Sequence, residues 1–409
     1  MTPRAAFPFL LVFSAACASG PGSGAPSGAP APEGRGEPAG PSTTYTVYVG
    51  AESADLIHRI TWGPDGARVE KTIPVGEMAV ENEGPHGFNM SRDGRWLFWT
   101  TGHGVPDGKL WKYEAGPDTL VGEPTLLGWF PATLDLTPDG LYALVANFNL
   151  HGEHVPSTVS VVYTPDMLEV EQVETCVMPH GLRLSPDGTR AYSNCMMNDL
   201  LVELDTRTFQ VSRYFSVKPG EEGGWEKPGA GPDMAGHDMA AMDHGAMGHE
   251  MGGADMGPFP MSNACSPTWA EPSVDGRSVY VACNRGNHIL EIDVATWTLR
   301  RKFPAGRAPY NLDVTPDGRL LVATLKAQAA VEFFDLATGE SLAITPSSTT
   351  VTHGVVVSPD SRYAFVSVEG VGAEPGKVDI YDLGTFARVA DVEVGQQAGG
   401  IAFWRMDRP

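Results

Sequence analysis

Between residues 233 and 256 the chain reads DMAGHDMAAMDHGAMGHEMGGADM. Seven of its 15 methionines lie between 234 and 261, among them Met234, Met239, Met242, Met247 and Met251, interleaved with His237, His244 and His249. Asp233, Asp238, Asp243 and Glu250 fill the gaps. Met and His recur every two or three residues with glycine between them, a spacing that fits neither a helical stripe nor an alternating strand. Burial in a core is therefore a poor explanation for so many thioethers. Thioether sulfur is a soft ligand that selects Cu(I), and imidazole accepts copper or zinc. The expected chemistry is metal binding, copper first and zinc second. The plain alternative is a solvated low-complexity loop.

A second set of histidines recurs at longer range, as PHG at 85–87, PHG at 179–181 and THG at 352–354. His86, His180 and His353 are thus equivalent positions of a repeat. Three convergent imidazoles leave a coordination position open on copper, zinc or iron. The competing explanation is that a His-Gly pair merely suits the start of a strand.

The elements that would position these residues are short strands and tight turns. A turn of the form [ST]-P-D-G occurs at 137–140, 185–188 and 315–318, with looser versions at 91–94, 273–276 and 358–361. Proline presets φ at one turn position and glycine supplies φ > 0 at another. The aspartates at 93, 139, 187, 275, 317 and 360 are spaced by 46, 48, 88, 42 and 43 residues. A period in the forties predicts a β-propeller with one four-stranded blade per repeat. The 88 is one repeat plus an insertion at 219–261, between blades 4 and 5. Residues 45–76 read as strands B, C and D without an A, and 398–406 as an A strand alone. Pairing these ends closes a seven-bladed ring over 44–406 and leaves no free sheet edge there. The fold expected is all-β, a seven-bladed β-propeller. Alternation in LLVELD (200–205) and ILEID (289–293) predicts half-buried C strands.

With B strands such as VYVACNRGN (279–287) and AYSNCMMND (191–199), the repeat resembles the YVTN-type propellers over nearly the whole mature chain. The resemblance implies the fold; relatives by fold include lactonases, surface-layer proteins and the copper-binding propeller of nitrous oxide reductase. Three hub histidines fall short of that enzyme's ligand set, so its activity is not expected here. The 233–256 tract is similar to Met/His-rich segments of bacterial copper-resistance and copper-oxidase proteins.

In such a ring strand A is innermost, so His86, His180 and His353 should surround one mouth of the channel. Blades 3, 5, 6 and 1 are expected to put Thr133, Thr268, Tyr310 and Gly400 at the same place. Of 11 histidines only His58 falls within a C strand; the rest fall in or beside loops of one face, the face from which the insertion leaves. Glu81, Glu83 and Asp199 are acidic candidates near the hub, and Trp129, Phe130, Trp269 and Tyr310 are aromatic ones.

Excluding Cys17, the cysteines are Cys176, Cys195, Cys265 and Cys283, an even count that points to disulfides in an exported protein. Each pair flanks strands A and B of one blade, so of three possible pairings Cys176–Cys195 with Cys265–Cys283 is the first choice. Copper thiolates are the alternative. Residues 1–17 carry Arg4, a short apolar run over Ala5–Ala16 and small residues before Cys17, as in a signal peptide. Its end resembles a bacterial lipobox, with Ser14 in place of the usual Leu, which would make Cys17 the lipidated residue. Residues 18–43, rich in Gly, Pro and Ala, read as a disordered tether. These readings place the protein outside the cytoplasm, periplasmic or on the outer surface, touching a membrane only through its anchor.

A formal charge of -22 argues against nucleic acid as a partner. It leaves metal ions and another envelope protein as the expected partners. Three functions follow. The first is a metal-handling protein. The second is a lactonase-like hydrolase or lyase using hub histidines, weakened by the lack of a nucleophile elbow, HExxH or nucleotide loop. The third is a protein-interaction scaffold.

Overall fold

The computed structural model describes residues 40–77, 81–103, 108–226 and 260–409. Residues 1–39, where the expected signal peptide, Cys17 and most of the expected tether fall, lie outside the described residues, as does the Met/His tract from 227 to 259. Seven antiparallel sheets are present, each running outward from strand A to strand D. Blade 1 is closed by the two ends of the domain: Thr44–Ala51 (B) pairs with Ala398–Asp407 (A). The expected seven-bladed propeller with terminal closure is what forms. The other A strands are Pro85–Met90, Pro131–Leu136, Pro179–Leu184, Pro267–Pro272, Pro309–Val314 and Thr352–Val357, for blades 2 to 7. Among the described residues no helix is long and apolar enough to cross a membrane.

The turn motif works as a hydrogen-bonded clasp. Its Ser or Thr hydroxyl donates to the aspartate two residues on: Ser91 to Asp93, Thr137 to Asp139 and Ser185 to Asp187, each at 2.6 Å. The same carboxylate accepts a backbone N–H just beyond the turn, such as that of Arg95 at 3.0 Å. These bonds hold Asp93, Asp139 and Asp187 below the usual carboxylate range. Gly140 and Gly188 take φ of 70° and 72°. Blade 7 has serine instead, and Ser361 is held at φ 58°.

Burial corrects one expectation. Strands Leu200–Asp205 and His288–Asp293 are buried along all but their last residue, not on one face only. Each inner strand lies between two neighbouring blades, so both faces are covered, and the alternating polar residue is paired internally. Glu203 accepts from Ser212 Oγ at 2.8 Å and Arg213 Nε at 2.9 Å, and the Arg213 guanidinium lies 4.1 Å from the Trp297 ring centroid. Glu291 likewise takes Ser278 Oγ and Arg301 Nε, both at 2.8 Å. Half-burial is confined to outer strands such as Thr298–Pro304.

Both expected disulfides are present, Cys176–Cys195 and Cys265–Cys283. Cys265–Cys283 ties the lead into strand A to the end of strand B in blade 5, whereas Cys176 lies in the outer strand Leu168–Val177 of blade 3, so its bond staples that blade to the end of strand B in blade 4. The insertion begins as structure: Gly223–Glu226 adds a fifth strand to the outer edge of blade 4. It returns at Ser262, bridged to Asn198.

Candidate functional site at the hub mouth

On the face where B–C and D–A loops meet, the channel opens into a funnel of about 320 Å³. Two sets of residues build it. One comes from the start of strand A: His86, His180, Thr268, Tyr310 and His353. Strand register corrects the equivalents in blades 3 and 1. Ala132 and Gly399, not Thr133 and Gly400, occupy the histidine position there, because Pro131 and Ala398 align with Pro85. The second set comes from the residue directly after strand B: Glu52, Phe148, Met196, Asn284, Lys326 and Glu369. Blade 2 supplies His103, one residue later.

Glu52 is the centre of the arrangement. It begins a short 3-10 turn, Glu52–Ala54, between strands B and C of blade 1, and is only 2% exposed. Its Oε1 lies 2.8 Å from His86 Nδ1, and its Oε2 lies 3.1 Å from His103 Nε2. Gln397 Nε2 donates to Oε2 at 3.2 Å. Burial pushes this carboxyl upward, but the charge of His86 and the hydrogen bonds from His103 and His86 outweigh burial and hold it well below the usual range. Glu52 is therefore a buried carboxylate that stays ionised.

The three hub histidines differ. His86 and His353 face each other with ring centroids 5.6 Å apart. Glu52, His86 and His353 each offer one donor atom, all within 4.8 Å of one another. His353 Nδ1 is buried without a hydrogen-bond partner among the described residues, and its Nε2 stands 3.8 Å from Glu369 Oε1. Burial, with Lys326 and His86 nearby, drives His353 well below its ordinary pKa, so the ring is neutral with a lone pair to give. His180 is different. Its Nδ1 lies 2.8 Å from the Thr268 carbonyl and its Nε2 3.0 Å from the Tyr310 hydroxyl. The carbonyl fixes Nδ1–H as donor, and the Tyr310 O–H then donates to Nε2. Burial lowers its pKa to about 3. Both nitrogens of His180 are engaged, and it is not brought into the Glu52 group.

Opposite stands a cation. Lys326 Nζ is 2.9 Å from Glu369 Oε1 and 4.2 Å from the Tyr310 ring centroid. The acidic candidates named from sequence do other work. Asp199 accepts from Ser262 Oγ and from the backbone N–H groups of Ala264, Cys265 and Ser266, pinning the returning end of the insertion. Glu83 accepts the Glu77 N–H, and Glu81 is exposed. Of the aromatics, Phe130 packs against His86 and His103, whereas Trp129 is 49% exposed. Met178, Met196, Met197 and Met261 cluster with Phe130 and Phe148, and Met196 lines the funnel.

No family model matches the chain, and no curated protein matches it. Among solved structures, the chain is similar to hydrazine synthase of Kuenenia stuttgartiensis. The TM-score is 0.54 at 19% identity, over 76% of this chain and 80% of that one. This likeness supports the seven-bladed fold.

Proposed function

We propose that the protein is an exported, metal-handling propeller whose hub mouth holds a single transition-metal ion through Glu52, His86 and His353. The observation that carries the reading is the grouping of an ionised buried carboxylate with two imidazoles, one of which keeps a buried nitrogen without a partner. Buried polar atoms are ordinarily satisfied, and an orphan on a ring that stands beside other donors is what a ligand would complete. Copper is the ion favoured, because the Met/His tract and Met196 in the funnel wall supply soft donors beside the imidazoles. In this reading Met234, His237, Met239, Met242, His244, Met247, His249 and Met251 capture the ion, and the hub receives it. The two disulfides fit an oxidising compartment. Anchoring through Cys17 belongs to the same proposal.

The test is competitive Cu(I) titration of the full chain, of a variant lacking 227–259, and of His353→Ala. A cut at 227–259 spares the strand Gly223–Glu226 that belongs to blade 4. The expected result is loss of most equivalents with the deletion and of one further equivalent with His353→Ala. Unchanged stoichiometry in both variants would defeat the reading.

A second reading has an observation of its own. The Glu52–His86 pair at 2.8 Å is an acid–base dyad, in a funnel whose volume suits a small molecule. A lactonase-like hydrolase would show turnover that survives chelation and falls in Glu52→Gln.

A further inference from the structure

The rim of the funnel carries a second pair of imidazoles. His103 Nδ1 and His151 Nε2 are 3.4 Å apart, with ring centroids at 5.7 Å. That is long for a nitrogen–nitrogen hydrogen bond. It matches the separation of two imidazole nitrogens on one tetrahedral ion, which is about 3.3 Å for metal–nitrogen bonds of about 2.0–2.1 Å. The other nitrogen of His103 supplies an independent sign. Nε2 lies 3.1 Å from Glu52 Oε2, so it carries the proton and donates it, leaving Nδ1 as a lone pair aimed at His151. A metal-binding histidine characteristically donates its second N–H to a carboxylate, which fixes the tautomer and strengthens the ligand. Phe130 walls the pair on one side, 4.8 Å from the His103 ring and 5.7 Å from that of His151. His151 itself is exposed, so the site opens to solvent.

We infer that His103 and His151 form a second, solvent-facing site for a divalent transition ion, with Glu52 as the carboxylate behind His103. Water or a donor from an incoming carrier completes the coordination. Glu52 would then couple two sites: Oε1 serves the hub through His86, and Oε2 serves the rim through His103. An ion arriving from solvent meets the rim pair first, a short step from the hub group. The inference rests on the hub reading only through the shared Glu52, and the two are separable by experiment.

Zn(II) and Co(II) are titrated, with dialysis stoichiometry and visible Co(II) absorption as readouts. The background is the full chain carrying His237→Ala, His244→Ala and His249→Ala, which silences the imidazoles of the Met/His tract. Two equivalents are expected in that background. His151→Ala should weaken one of them at least tenfold and remove its Co(II) band, with an unchanged melting temperature, because the residue is exposed. His353→Ala should remove the other and leave the rim band intact. If His151→Ala titrates like the background, the rim site does not exist. If His353→Ala alone has no effect, the hub reading fails while the rim site stands.

Discussion

The sealed state of His180 makes the propeller acid-sensitive by an amount that can be worked out. In the folded protein burial lowers its pKa to about 3 from an ordinary 6.5. The folded value lies below the unfolded one, so the unfolded chain binds the proton first, and stability falls as pH drops below the unfolded pKa. From about pH 7 to about pH 5 the unfolded state gains a proton that the folded state refuses, which costs about 2 kcal/mol for this single ring. His353, also pushed far down by burial, adds a loss of similar origin. The perturbation that isolates His180 is His180→Asn, whose side-chain amide keeps a donor for the Thr268 carbonyl but does not titrate. The assay is urea unfolding at both pH values, with chelator present and disulfides intact. The variant is less stable throughout, yet its pH-dependent loss should be smaller than that of the wild type by about 2 kcal/mol. Equal losses in the two proteins would mean that the ring takes up its proton in the folded state. The Thr268–His180–Tyr310 bridge would then be no seal.

Three other perturbations test the surrounding frame. Removing either disulfide, as Cys176→Ser with Cys195→Ser or Cys265→Ser with Cys283→Ser, should lower the unfolding free energy by about 3 kcal/mol in each case, read from urea midpoints. Lys326→Met leaves the half-buried Glu369 without its cation; the partly exposed pair should lose about 2 kcal/mol, and adding Glu369→Gln should recover at least half of it, in a double-mutant cycle. Gly181→Ala places a methyl 2.4 Å from the Thr268 carbonyl, the acceptor of His180 Nδ1. It should cost about 1–3 kcal/mol and reduce the pH sensitivity described above, measured on the same urea curves.

The fold was legible because its determinants are local. Ser91, Thr137, Ser185 and their equivalents close each turn within two residues, so the motif recurs in the sequence wherever the chain reverses. The disulfides were legible because an antiparallel A–B pair brings its two ends together at any blade. The polar position in strands such as LLVELD misled for the opposite reason. Alternation records which residues need partners, and Arg213 provides one inside, so Glu203 is polar and buried together. Half of the funnel was legible, through the His-Gly pairs of strand A. Glu52, Lys326 and Glu369 were missed because each stands alone in unremarkable sequence. Their common feature, the place directly after strand B, becomes visible only once blade boundaries are drawn. Aligning that position across the repeats would have found them.

The His-Gly pairs themselves have two separate causes. A Cβ on Gly87 would lie 2.8 Å from the Ala132 carbonyl oxygen, and one on Gly400 would lie 1.8 Å from that of His86. At Gly87 and Gly400 the neighbouring A strand approaches so closely that only glycine fits, whereas blades 3, 5 and 6 hold Thr133, Trp269 and Asn311 at the equivalent place. This explains the glycines and leaves the imidazoles unexplained, since Ala132, Thr268, Tyr310 and Gly399 occupy the histidine position in other blades. His180 earns its place as a double-ended hydrogen-bond bridge. His86 and His353 instead face a glutamate. An imidazole can present either a donor or an acceptor, so a neutral side chain at residue 52 would be able to bridge the same rings. A buried carboxylate costs several kcal/mol in lost hydration and returns that only against positive charge. Choosing the charged group where a neutral one would serve the packing supports the cation proposed for the hub, beyond the charge that His86 already provides.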